Sequence, residues 1–136
     1  MKIDGACHCG AIRYEAEIDP AKVMICHCTD CQTLSGSVFR TVAPAAAKDF
    51  RLLKGSPRIY MKNAESGNKR QQAFCGDCGT PIYSAAEKDT PVYSLRVGSI
   101  RQREQLVPKE QAWRRSALKW LPEFPGTRQF EKGKSY

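Results

Sequence analysis

The chain has 136 residues, with 41% hydrophobic and 26% charged side chains and a formal net charge of +8. That length can bury a core without disulfides, and the ordinary composition excludes a disordered or fibrous protein. No apolar run approaches the ~18 residues that span a bilayer, and Met1-Lys2-Ile3-Asp4-Gly5 lacks the apolar region of a secretory leader, so the expectation is one soluble, cytoplasmic domain over residues 1–136 with no membrane partner.

In chain order, Ala11 to Ile18 alternates apolar and polar residues, placing Ile12, Tyr14, Ala16 and Ile18 on one face of a strand that stops at Asp19-Pro20. Thr29 to Leu34, ending before Gly36, predicts a short helix. Further strands are predicted over Ser37 to Val42, Phe50 to Lys54, Arg58 to Lys62, Lys69 to Phe74, Pro81 to Ser84 and Val92 to Val97, each flanked by turn residues. Pro44 to Lys48 suits one helical turn with proline at its start, and Ser66-Gly67-Asn68 reads as a hairpin tip. Trp113 to Trp120, with Arg114, Arg115 and Lys119 between, is an amphipathic element expected to cover the sheet. The sum is a mainly β, antiparallel fold with a few short helices.

Seven cysteines fall in three clusters, Cys7/Cys9, Cys26/Cys28/Cys31 and Cys75/Cys78. In a reducing compartment such clusters are metal ligands rather than disulfides, and an odd count leaves one thiol over in any paired scheme. Four thiolates close a tetrahedral zinc; three leave a position for water or a substrate thiol. Side chains at i and i+2 of an extended backbone share a side, so Cys7 with Cys9, and Cys26 with Cys28, can each aim two sulfurs at one ion while His8 and His27 point away. The Cys75-Gly76-Asp77-Cys78-Gly79 turn is half of a zinc knuckle. The preferred partition joins Cys7, Cys9, Cys75 and Cys78 in a closed site and leaves Cys26, Cys28 and Cys31 as an open platform. A competing partition fills the fourth position with His8, His27 or an acidic residue and makes both sites structural.

An open three-thiolate zinc suits thiol handling, because the metal lowers the pKa of a bound thiol. Only two histidines are present and no G-x-S-x-G motif occurs, which leaves few components for a serine hydrolase. The positive charge concentrates in residues 48–72 and 101–136, each contributing +5. A basic face of that kind serves an anionic small molecule, or alternatively makes the chain a zinc module without catalysis that meets nucleic acid or an acidic partner. The aromatic residues Phe39, Tyr60, Phe74, Tyr83 and Tyr93 lie in strand patterns and suit a core better than a base-stacking platform, so nucleic acid is the weaker alternative. An exposed apolar stripe near the C-terminus would allow a homo-oligomer.

Gly5-Ala6-Cys7-His8-Cys9-Gly10, Cys26-His27-Cys28-Thr29-Asp30-Cys31 followed by Ser35-Gly36, and Phe74-Cys75-Gly76-Asp77-Cys78-Gly79-Thr80-Pro81-Ile82-Tyr83, with Val97-Gly98-Ser99-Ile100 beyond, together resemble the glutathione-dependent formaldehyde-activating enzyme family, which includes the centromere protein V domain. The resemblance implies an Mss4-like β fold and a structural zinc on Cys7, Cys9, Cys75 and Cys78. It also implies a second zinc on Cys26, Cys28 and Cys31, the expected catalytic residues of a carbon–sulfur lyase acting on an adduct such as S-hydroxymethylglutathione. Glutathione or a related thiol is then the partner, and Arg13, Arg40, Arg58, Arg96 and Arg114 are the candidates to meet its carboxylates. The chain departs from the family pattern at Arg101, where an acidic residue is usual, and at Gln111-Ala112-Trp113, where His followed by Ile and an aromatic residue is common.

Overall fold

The computed structural model describes residues 1–133. Two sheets face each other. The smaller has the order β1 (Lys2–Ala6), β2 (Arg13–Glu17), β5 (Phe50–Lys54) and is antiparallel. The larger has the order β11 (Arg128–Gln129), β10 (Glu110–Ala112), β3 (Met24–Cys26), β4 (Arg40–Ala46), β9 (Val92–Arg96), β8 (Pro81–Ala86), β7 (Lys69–Phe74), β6 (Arg58–Asn63). One helix, α1 (Thr29–Ser35), follows β3 and ends where Gly36 takes the left-handed conformation at φ +64°, which glycine adopts without a Cβ penalty. Among the described residues no helix is long and apolar enough to cross a membrane.

The period of two places Ile12, Tyr14, Ala16 and Ile18 in the core, as their alternation predicts. They meet Ala43, Ala45, Ala73, Ala85 and Leu95 from the larger sheet. The small side chains leave room for an aromatic cluster in which Phe50 packs against Tyr14, Tyr83 and Tyr93 at centroid separations of 4.5–5.7 Å. Tyr60, predicted for the core, is instead 54% exposed on β6. Trp113 packs on Met24, Val42 and Ala112, whereas Trp120 is 69% exposed, so only the first of the two tryptophans covers the sheet.

Three features differ from the sequence reading. The helical turn expected over Pro44 to Lys48 is displaced to Ala47–Asp49, and Pro44 lies inside β4. β3 pairs only with Arg40, Thr41 and Val42, so beyond Val42 the strand has β9 as its one sheet neighbour, and a proline with no N–H to donate is tolerated there. β1, β3, β10 and β11 carry no strong alternation and form because they pair. The larger sheet is mixed, because β10 runs parallel to both β3 and β11.

Arg101 explains one departure from the family pattern. Its guanidinium makes a fork to Asp4 with contacts of 2.6–3.1 Å, and Gln102 Nε2 donates to the same carboxylate at 2.7 Å. These bonds tie β1 to the segment after β9. The Arg101 hydrogen bonds, then that of Gln102, hold the Asp4 carboxyl down to about 2 from 3.8. A carboxyl with a depressed folded pKa contributes stability that is complete above 3.8 and lost as pH falls through 2. In Arg101→Ala the Asp4 carboxyl should titrate closer to 3.8, followed by its 13C shift; an unchanged midpoint would mean that another group holds it.

Candidate metal centres and the cavity beside them

Cys7 and Cys9 flank a tight turn between β1 and β2, not an extended strand as the i, i+2 reading assumed. Gly10 N–H donates to Cys7 O at 3.1 Å, and Gly10 sits at φ +79°. Cys75 and Cys78 flank the matching turn between β7 and β8, where Gly79 N–H donates to Cys75 O at 2.8 Å. The two turns meet: Cys7 Sγ lies 3.6 Å from Cys9 Sγ, which lies 3.8 Å from Cys75 Sγ. Sulfurs at ~2.3 Å from a tetrahedral zinc would stand about 3.8 Å apart, so the donor set fits that ion. All four sulfurs lie within 4.8 Å of one another. Ile12 N–H donates to Cys7 Sγ at 3.2 Å. Thr80 Oγ1, 3.2 Å from Cys78 Sγ, also accepts from His8 N–H at 3.0 Å. The Thr80 hydroxyl and amide push the Cys78 thiol down to about 5, so one sulfur of the group is anionic at neutral pH.

Cys26 ends β3, Cys28 caps α1 and Cys31 lies in its first turn, which brings the three sulfurs within 4.8 Å of one another. Here the alternation argument holds. His27 turns to the opposite side, fully buried, with its Nε2 and Gln111 Oε1 2.8 Å apart and its ring edge-on to Phe39. Gln111, one of the departures noted in the sequence, thus serves as the partner of His27. Burial holds the His27 imidazole below its usual pKa and therefore neutral at pH 7. Among the described residues neither cysteine group includes a histidine or a carboxylate, so the competing partition finds no fourth ligand within that reach. Cys28 Sγ accepts from Cys31 N–H at 3.2 Å. Hydrogen bonds from the Cys26 and Cys31 thiols, with that amide and Lys62 behind them, push the Cys28 thiol down to about 2, while the Cys28 and Cys31 contacts push Cys26 up.

These three sulfurs form one wall of a cavity of about 310 Å³. Its floor is the face of the larger sheet turned away from the core: Met24 on β3, Arg40 and Val42 on β4, Ser94 and Arg96 on β9, Ser84 on β8, Arg70 and Gln72 on β7. Lys62, paired with Asp30 at 2.9 Å, and Trp113 stand at its sides. Arg40 and Arg96 are buried, and both donate to Gln72 Oε1, at 3.3 and 2.8 Å. Burial, then the neighbouring Arg40, pushes the Arg96 guanidinium down to about 9, which leaves it charged at pH 7. Across Arg40, Gln72 and Arg96 lies a second, apolar cavity of about 390 Å³, lined by Leu34, Tyr60, Phe74, Pro81 and Tyr83.

Of the five arginines proposed to meet carboxylates, the structure brings Arg40 and Arg96 to this cavity. Arg58 lies against the knuckle at Gly76, Arg13 lines a separate cavity with Asp4 and His8, and Arg114 pairs with Glu123 at 3.6 Å. Arg70 and Lys62 entered the sequence reading only as charge within residues 48–72, and Gln72 not at all; their signal, alternation on β7 and β6, places them on one face without saying what that face meets.

The sequence model of the family described as "Glutathione-dependent formaldehyde-activating enzyme" matches residues 2–116. The chain belongs to that family. All seven cysteines of this formaldehyde-activating enzyme family member lie inside the matched region. An uncharacterized lyase of Schizosaccharomyces pombe is 29% identical over 86 residues, 60% of this chain. The chain spans just over half of that relative, 56% of its length. The crystal structure of a Rhodobacter sphaeroides protein superposes with a TM-score of 0.57 at 20% identity, covering 93% of this chain and 98% of the other, which is a likeness of fold.

Proposed function

We propose that this chain is a zinc-dependent carbon–sulfur lyase acting on an adduct of glutathione or a related thiol, such as S-hydroxymethylglutathione. In this reading Cys7, Cys9, Cys75 and Cys78 hold a structural zinc, and Cys26, Cys28 and Cys31 hold a second zinc at the reaction centre. The observation that carries it is the contrast between the two groups. Four sulfurs would saturate one ion, whereas the other three face a cavity with no fourth His, Cys, Asp or Glu in their group among the described residues. Family membership and a relative named as a lyase support the reaction class.

The reaction breaks the C–S bond of the adduct: the hydroxymethyl group leaves as formaldehyde, its hydroxyl proton passes to solvent or base, and sulfur departs with the electron pair. A zinc ion held by Cys26, Cys28 and Cys31 would supply stabilisation of a thiolate near neutral pH. The chain's own residues do the rest. Cys26, Cys28 and Cys31 together would fix the charge of the platform, and α1 holds Cys28 and Cys31 in one helical turn. Arg40 and Arg96 put positive potential behind the departing sulfur, which favours its anionic form. Val42, Ala112 and Trp113 form an apolar side of the cavity that limits water.

Zinc stoichiometry with and without glutathione, measured on the wild type and Cys28→Ser, tests the reading. Two zincs are expected, one exchangeable and perturbed by glutathione, with Cys28→Ser retaining one zinc and losing turnover. Two equally inert zincs, or full turnover in Cys28→Ser, would sink it.

A further inference from the structure

We propose that Arg40 and Arg96, joined by Gln72, form an anion subsite that selects an acidic thiol over a neutral one. The proposal deepens the reading above and rests on it for the thiol half of the ligand; the anion half rests on the arginines alone.

Sheet register places the two groups together. Cys26 is the direct partner of Arg40 across β3 and β4, and Val42, two residues on, is the partner of Arg96 across β4 and β9. Cross-strand partners stand about 5 Å apart at Cβ and diagonal ones about 7–8 Å, so the sulfur platform, Arg40 and Arg96 follow one another across a single face. A short ligand with a sulfur at one end and a carboxylate at the other reaches both.

Charge requires a ligand. Arg40 and Arg96 are 6% and 8% exposed, and among the described residues no carboxylate pairs with either. Two guanidiniums share one neutral amide oxygen, and Arg96 Nε is buried with no partner. Buried charge without a counter-charge is costly. The cysteine platform offsets only part of it, since zinc with three thiolates carries −1 against the +2 of the two arginines. An arrangement serving the thiolates alone would need one arginine, not two held side by side by a glutamine. The amide oxygen of Gln72 fixes both guanidiniums, leaving N–H groups free to grip a carboxylate as a fork.

The test uses zinc-loaded protein and three probes: 3-mercaptopropionate (thiol and carboxylate), 2-mercaptoethanol (neutral thiol) and glutarate (carboxylates, no thiol), with affinities from calorimetry. Wild type is expected to bind 3-mercaptopropionate about tenfold or more tighter than 2-mercaptoethanol, as charge-assisted hydrogen bonds imply. Arg96→Met should abolish that preference, the affinity for 3-mercaptopropionate falling about tenfold more than that for 2-mercaptoethanol, with zinc content unchanged. Gln72→Glu, of nearly the same shape, sets a carboxylate between the guanidiniums and should abolish it too, which keeps the test decisive if Arg96→Met does not fold. Equal affinity of wild type for both thiols, or a preference that survives Gln72→Glu, overturns the subsite. If neither thiol binds but glutarate does, and only with Arg96 present, the subsite stands and the thiol reading fails. If no probe binds, both fail.

Discussion

Cys75→Ala is expected to leave the chain without a cooperative thermal transition, whereas Cys28→Ser should melt within a few degrees of the wild type. The asymmetry comes from sequence distance. Cys75 is buried in the turn between β7 and β8, and its group joins that turn to the one between β1 and β2. A metal there would close about half of the chain into one loop and pin the smaller sheet to the larger. Because the site does not exist in the unfolded chain, its binding energy is folding energy, about 10–16 kcal/mol in zinc-finger peptides. Whole domains are stable by only about 5–15 kcal/mol, so losing an ion held there would remove a margin as large as the whole. Cys26, Cys28 and Cys31 lie within six residues, and a metal there closes no long loop. Calorimetry of the two variants, with bound zinc measured in parallel, decides the matter. A Cys75→Ala protein that melts like the wild type after losing one zinc would show that the core, not the four-sulfur group, closes the fold.

The joining of Cys7 and Cys9 to Cys75 and Cys78 followed from the need for four ligands, while the three cysteine clusters themselves were legible in the sequence because each is local, a knuckle turn or a Cys-His-Cys run beside a helix ending at Gly36. The same holds for the buried face Ile12, Tyr14, Ala16 and Ile18. Where the local rule was wrong, a neighbour overrode it. Cys7 and Cys9 come together through a turn closed by Gly10, and Pro44 extends a strand because β3 stops pairing at Val42. The cavity was illegible for a deeper reason. That Cys26 faces Arg40 and Val42 faces Arg96 depends on the register of three strands distant in sequence, and a slip of one residue would turn every one of these side chains to the other face. Five arginines were equal candidates until that register was known.

The positive charge, too, reads differently once placed. Arg40, Arg70 and Arg96 turn inward to the cavity, and Lys62 beside it is paired with Asp30. Part of the chain's positive charge is therefore internal, where it can meet a small anionic ligand, and that part offers nothing to an extended polyanion lying on the surface.

Gly5→Ala is the second substitution with a large expected effect, about 3 kcal/mol or more in urea unfolding of the metal-loaded protein. Gly5 precedes the first cysteine pair, yet its role is contact and not chemistry. A Cβ there would stand 2.3 Å from Cζ and 2.4 Å from the hydroxyl of Tyr14, and 2.7 Å from the carbonyl of Ser99. Tyr14 is wholly buried and Ser99 is backbone, so neither yields cheaply, and overpacking of this kind costs about 1–3 kcal/mol. Displacing Tyr14 also breaks its 2.7 Å hydrogen bond to Ser99 Oγ, adding about 1–3 kcal/mol for a buried polar group left unpaired. The consequence reaches the cavity, because Ser99 Oγ–H in turn donates to the carbonyl of Arg96 at 2.9 Å. Gly5, Tyr14, Ser99 and Arg96 thus form one line of contact from the smaller sheet to the anion subsite. Tyr14→Phe removes only the hydroxyl and should cost about 1 kcal/mol. A Gly5→Ala protein as stable as Tyr14→Phe would show that β1 can shift away from Tyr14, and the close approach would then not be what fixes β1 against Tyr14 and Ser99.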